Sequence, residues 1–154
     1  MKVKNTPVLR QEALEVTVFD DSLKRLAVGM RLTMTKERGV GLAAPQVGVS
    51  KRLILVKDEE TVIAMVNPEI FHYSASTVTS LEGCLSLPGA VYEVPRSSRV
   101  SVSYRDLSGA LKYLYASKLT AIIIQHEVDH LNGILIDQSG NLVKSSPNYL
   151  GLSI

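Results

Sequence analysis

The sequence predicts an α+β fold in which antiparallel sheets pack around one central helix. Three observations carry that expectation. Two segments with helical spacing stand far apart, short strand-like runs fill the interval between them, and turn signals rather than helices separate those runs. Parallel sheets alternate strands with crossover helices, so this order favours antiparallel pairing. The 154 residues carry no internal repeat and no low-complexity linker. One domain is therefore expected over 1–154, its last stretch (138–154) a short polar tail.

The first helix is expected from about Ser22 to Arg38. Asp20, Asp21 and Ser22 are good caps, and Leu23, Leu26, Ala27, Met30 and Met34 then recur at helical spacing. Gly39-Val40-Gly41 breaks it. Strands are expected at Arg52 to Val56, Thr61 to Val66, Glu69 to Val78, Tyr92 to Val94, Arg99 to Tyr104 and Leu111 to Tyr115. Asn67-Pro68, Pro88-Gly89 and Ser108-Gly109 are read as turns. The second helix should start near Ser117 as its cap and stop at Asn132-Gly133. Leu119, Ile122, Ile123, His126, His130 and Leu131 fall on or beside one face of it, so both histidines should look inward.

Composition narrows the function. Hydrophobic residues make up 45% and charged residues 21%, an ordinary globular balance. Net charge is +2 with Lys and Arg scattered, which leaves no basic stripe for specific nucleic-acid binding. No apolar run approaches a membrane span, since Ala121 to Ile124 is stopped by Gln125 and His126. The polar start Met1 to Asn5 has no signal-peptide core behind it, and the single Cys84 has no disulfide partner. A cytoplasmic setting is expected.

The chemistry concentrates in Gln125-His126-Glu127-Val128-Asp129-His130. Histidines four apart lie one above the other on a helix and can grip one divalent cation. Glu127, one step round, is placed to handle the proton of a water. A catalytic metal needs a third protein ligand, and none is well placed downstream: after His130 there is no histidine, and the only carboxylate, Asp137, follows the helix too closely. The better candidate lies upstream in Glu82-Gly83-Cys84-Leu85-Ser86-Leu87-Pro88, where Cys84 as a thiolate would be a soft ligand for zinc or ferrous iron. A third segment, Gly39-Val40-Gly41-Leu42-Ala43-Ala44-Pro45-Gln46, is small enough to admit a substrate backbone, and Gln46 can donate to a developing oxyanion.

Together GVGLAAPQ at 39–46, EGCLSLP at 82–88 and QHEVDH at 125–130 strongly resemble the three signature motifs of peptide deformylase, in order and in spacing. The likeness extends over roughly residues 5 to 137. It implies a hydrolase that removes the formyl group from the N-terminal formyl-methionine of new polypeptides. It further implies one metal held by Cys84, His126 and His130, ferrous iron in the cell with zinc or nickel as substitutes. Water would attack the formyl carbon, with Glu127 as general base and then acid. The oxyanion would be met by the Gln46 amide and the Leu85 backbone N–H. On the same resemblance the backbone around Val40-Gly41 and Gly83 pairs with the peptide, Val40, Leu119, Ile122 and Ile123 line a methionine pocket, and Glu82 with Arg96 braces the cysteine strand.

Three departures from the family pattern stand out. Val91 replaces a common Arg or Tyr near the peptide's second residue. Lys118 replaces a common glycine at the start of the catalytic helix. Gly133 to Asp137 resembles a shortened form of the family's post-helix strand, and only Gln138 to Ile154 follows in place of the long C-terminal helix that many bacterial relatives use in transient ribosome contact. Two other readings compete: a zinc peptidase of the His-Glu-x-x-His type, and a binding module with a closed metal site, which would need His72 as fourth ligand.

Overall fold

The computed structural model describes residues 1–3, 7–145 and 154. Its architecture is α+β, with every paired strand antiparallel. A 3-10 turn at Pro7–Arg10 leads into helix α1, Asp21–Lys36. Asp20 caps that helix, its side chain accepting the Leu23 N–H at 3.0 Å. Leu23, Ala27, Met30 and Met34 then fall on the buried stripe and pack with Leu42, Leu53 and Leu55.

The larger sheet has five strands in the order β1-β2-β3-β6-β7. These are β1 (Gly41–Ala43), β2 (Leu53–Asp58), β3 (Thr61–Tyr73), β6 (Arg99–Arg105) and β7 (Leu111–Ser117). The smaller sheet joins β4 (Thr77–Cys84), β5 (Leu87–Ser97) and β8 (Asn141–Ser145) in that order. Helix α2 (Lys118–Leu131) packs against strands of both sheets. Ala121, Ile123, Ile124, Val128 and Leu131 of that helix join Ile54, Val56, Met65, Val100 and Val102 in one core cluster. A short turn of helix, α3 (Ile136–Ser139), precedes β8.

Several boundaries differ from expectation for identifiable reasons. Asn67-Pro68 does not turn the chain: β3 runs through it with a register shift between Val66 and Glu69. Asn67 tolerates the left-handed backbone it adopts (φ 48°), and its side-chain amide ties both the N–H and the carbonyl of Val16. The expected strand Glu69 to Val78 is two strands, divided at Ser74 to Ser76, where the Ser74 hydroxyl donates to the Ser76 carbonyl. Pro88-Gly89 lies inside β5, and the turn of the β4–β5 hairpin is Leu85-Ser86 instead. Ser117 stands at the start of α2 without a side-chain capping bond.

The segment after α2 also departs. Gly133 takes a left-handed conformation (φ 73°), and a Cβ there would fall 2.8 Å from the Arg10 carbonyl carbon and oxygen. Gly133 to Asp137 is not a strand; the chain turns there and enters α3. Part of the expected polar tail is structured as β8, which pairs with β5 from Glu93–Asn141 to Ala90–Ser145. Residues 146–153 of that tail lie outside the described residues.

Candidate active site

The second and third motifs meet where the hairpin β4–β5 faces α2. Cys84 is the last residue of β4, just past a register irregularity at Glu82/Cys84 that re-aims the strand end. His126 and His130 project from the buried side of α2, exposed by only 2% and 1%, as the spacing predicts. Their ring centroids stand 5.0 Å apart. One ligand atom from each of Cys84, His126 and His130 lies within 4.8 Å of the others. The Cys84 sulfur is 3.4 Å from His130 Nε2.

A charged network holds this trio from behind. Glu82 is fully buried and touches His126 Nδ1 at 2.8 Å, while Arg96 donates to both Glu82 oxygens at 2.9 and 2.8 Å. Burial alone would raise the Glu82 pKa, but the hydrogen bonds from Arg96 and His126 outweigh it and hold the group down to about 2. An ionised Glu82 accepts the Nδ1 proton of His126 and so leaves a lone pair on Nε2, the ring atom without a partner. Arg96 also grips Asp129 at 2.6 Å. The expected Glu82–Arg96 pair is thus present and buried; its link to His126 and its second carboxylate, Asp129, were not foreseen from the sequence. Asp129 sits within the QHEVDH motif three residues after His126, and that spacing alone was the available signal.

Buried polar atoms without partners among the described residues mark what the site is built to hold. They are His126 Nε2, His130 Nδ1 and both oxygens of Glu127. Burial, and then the proximity of His126 and Arg96, lowers the His130 pKa well below the usual histidine range. Burial pushes the Cys84 thiol up to about 12, so only a cation could draw it to thiolate near neutrality. Imidazole nitrogens, a soft sulfur and an unpartnered Nε2 fit a divalent transition metal. His72 is exposed on β3 and takes no part in the cluster, which disfavours a closed four-ligand site.

Glu127 is completely buried, and burial, then the charge of Glu82, raises its pKa well above the ordinary carboxylate range. Gly41 makes its room: a Cβ on Gly41 would stand 2.6 Å from Glu127 Oε1 and 2.8 Å from Ile123 Cγ2. Gln46, in the 3-10 turn Ala44–Val47, accepts the Ala43 N–H at 2.9 Å, which fixes its amide. Its Nε2 then points to the Cys84 sulfur at 3.8 Å and the Ser86 hydroxyl at 3.3 Å. Ser86, buried at 2%, is a further neighbour that sequence reading passed over.

Strand β1 is an edge of the larger sheet. Lys57 N–H donates to the Val40 carbonyl at 2.8 Å, so in antiparallel alternation the Gly41 N–H and C=O face away from β2. Of the apolar residues expected around a methionine, Val40 and Ile122 are half-buried and Ile123 is buried. Leu119 is 43% exposed, not inward as the helical face suggested, because the buried residues of α2 begin only at Ala121. It lies between a cavity of about 500 Å³ shared with Val40 and Ile123 and another of about 620 Å³ shared with Ile122. Val91 is buried and pairs with Lys144 of β8, so it serves the sheet and not an open rim.

The polypeptide deformylase family model matches residues 1–145. The chain belongs to the polypeptide deformylase family. A peptide deformylase of Picosynechococcus sp. is 41% identical over 145 residues, covering 90% of this chain and 78% of that protein. The Dictyoglomus turgidum peptide deformylase is 47% identical over 130 residues, covering 84% of each. Among solved structures, that of the Thermotoga maritima enzyme superposes with a TM-score of 0.87 at 41% identity, covering 91% of this chain and 95% of that one. A Synechococcus elongatus peptide deformylase in complex with actinonin gives 0.84 at 43% identity, covering 88% and 75%. Membership makes the chain a hydrolase of N-formyl groups on polypeptides and disfavours the peptidase alternative. It also makes the reaction metal-dependent, in keeping with the Cys-His-His group. No helix among the described residues is long and apolar enough to cross a membrane.

Proposed function

We propose that Cys84, His126 and His130 hold one divalent ion, ferrous iron in the cell, and that the surrounding side chains remove the formyl group from formyl-methionine at the start of new polypeptides. The convergence of those three ligand atoms beside the unpartnered carboxyl of Glu127 carries this reading. When bound, such an ion supplies Lewis acidity, making water a nucleophile at neutral pH and polarising a carbonyl.

The chain's own groups do the rest. Glu127 takes a proton from the water as its oxygen bonds to the formyl carbon, then returns a proton to the departing amine as the C–N bond breaks, releasing formate. The Gln46 amide, locked by its bond to Ala43 and aimed at the Cys84 region, donates to the oxyanion together with the Leu85 N–H in the hairpin turn. The peptide adds as a strand to the free edge of β1 at Val40-Gly41 and meets Gly83 on the other side. Val40, Leu119, Ile122 and Ile123 receive the methionine side chain, whose flexible thioether suits an apolar lining. Glu82 and Arg96 orient His126 and brace the cysteine strand.

The test is formate release from a formyl-Met-Ala peptide by protein prepared anaerobically with ferrous iron, beside Glu127→Gln. The variant should keep its metal and lose about 10²–10⁴-fold in turnover, because the residue handles protons and not the ion. Near-full activity in Glu127→Gln would remove that residue from the mechanism.

A further inference from the structure

Ile154 belongs to no helix or strand, yet it lies at the centre of the molecule, completely buried. Its side chain joins the core cluster containing Ile123, Ile124 and Val128, against which Val40 and Ile122 also pack. Its N–H donates to the carbonyl of Gly83 at 3.1 Å. Gly83 directly precedes Cys84 on β4, and Ile123 lies one turn before Glu127 on α2. Ile154 therefore sits between the hairpin and the catalytic helix. It shares an apolar cluster with Ile123 and makes a main-chain bond to Gly83, the two kinds of contact assigned above to the incoming peptide.

We infer that Ile154 is an intramolecular occupant of the substrate groove, one that formylated peptides must displace. The inference rests on the groove assignment of the preceding subsection. A branched aliphatic side chain fills a methionine-sized apolar pocket, and the N–H to Gly83 supplies the strand-like bond. Occupancy leaves the catalytic groups as they are; it only removes a fraction of molecules from the binding-competent state. Apparent affinity falls by that fraction, so a groove closed nine times in ten raises KM about tenfold and leaves kcat unchanged.

Formate release over a range of formyl-Met-Ala concentrations tests this with wild type, Ile154→Ala and Ile154→Lys. A charged ammonium will not enter the apolar pocket, so Ile154→Lys should lower KM about tenfold with kcat within about twofold of wild type. Ile154→Ala should fall between the two. An unchanged or raised KM in both variants, with a lowered melting temperature, identifies Ile154 as an ordinary core residue and overturns the inference. A second measurement uses wild type alone: isoleucine-methyl NMR during titration with the product peptide Met-Ala-Ser. The Ile154 signals, assigned by their loss in Ile154→Ala, should move to solvent-exposed positions as the peptide saturates. Signals that stay buried at saturation would refute displacement. Absence of formate release from metal-loaded wild type would instead sink the deformylase reading, and the titration would still decide occupancy.

Discussion

Gly41→Ala isolates the role of one missing side chain. Gly41 does not have a left-handed backbone, so alanine meets no conformational penalty there. The cost is steric. The new methyl would stand 2.6 Å from Glu127 Oε1, 3.0 Å from its Cδ and 2.8 Å from Ile123 Cγ2. Ordinary contacts of this kind begin near 3.4 Å, so about 0.6–0.8 Å must be found by the carboxyl or the strand. Glu127 is enclosed on all sides and cannot swing into solvent. Overpacking on this scale costs about 1–3 kcal/mol of stability. A displacement approaching 1 Å at the proton-transferring group costs about 10²-fold in rate. Formate-release kinetics on Gly41→Ala should therefore show kcat down about 10²-fold, with metal content near wild type and a melting temperature lower by several degrees. A kcat within threefold of wild type would refute the reasoning, because Glu127 would then have had room that the structure does not give it.

Lys118 adopts φ 55°, a left-handed backbone at the start of α2. Lys118→Gly should relieve that strain and raise stability by up to about 1 kcal/mol in chemical denaturation; a loss would contradict it. Arg96→Met leaves the buried Glu82 carboxylate without its cation, and equilibrium unfolding should record a loss of about 3–5 kcal/mol. Metal affinity, measured by competition with a chelator, should drop about 10–100-fold in the same variant as His126 loses its fixed orientation. The partly exposed Arg10–Asp137 pair links the N-terminal turn to α3 at 2.8 Å. Its hydrogen bond to Arg10 lowers the Asp137 pKa below the ordinary value. A depressed carboxylate contributes above its unfolded pKa and loses that contribution as pH falls through its folded one. The gap in unfolding free energy between wild type and Asp137→Asn should thus be present at pH 6, at most about 1 kcal/mol in size, and close as pH falls below about 4 in denaturant titrations. A gap that persists at pH 2 would show that charge is not its source.

The site was more legible in the sequence than the fold around it. Three motifs dense in unusual residues declare their chemistry wherever the chain places them, and Cys84, His126 and His130 converge as the spacing implied. Helix ends were readable because caps and periodicity are local: Asp20 starts α1, and Asn132-Gly133 stops α2. Strand ends depend on partners remote in sequence. Asn67-Pro68 reads as a turn until Val16 occupies the asparagine amide, and Pro88-Gly89 until the hairpin turns three residues earlier, at Leu85-Ser86. Strand β8 was unreadable because its signal lies in the open edge of β5. Gly140 lets the chain approach, since a Cβ there would fall 2.2 Å from the Glu93 carbonyl oxygen. The clamp of Gln125 on the Ser97 N–H and carbonyl is likewise a tertiary fact.

Strand β1 offers unpaired main chain at the rim of a sheet, the feature by which sheets recruit one another and aggregate. Here the exposed ladder is three residues long and all three are buried. A single extended chain end can thread into such a recess, whereas the broad flank of another folded sheet cannot. On the proposed strand addition, the molecule would keep a sticky edge for loose polypeptide ends while denying it to finished proteins, a size filter set by depth and length and blind to sequence.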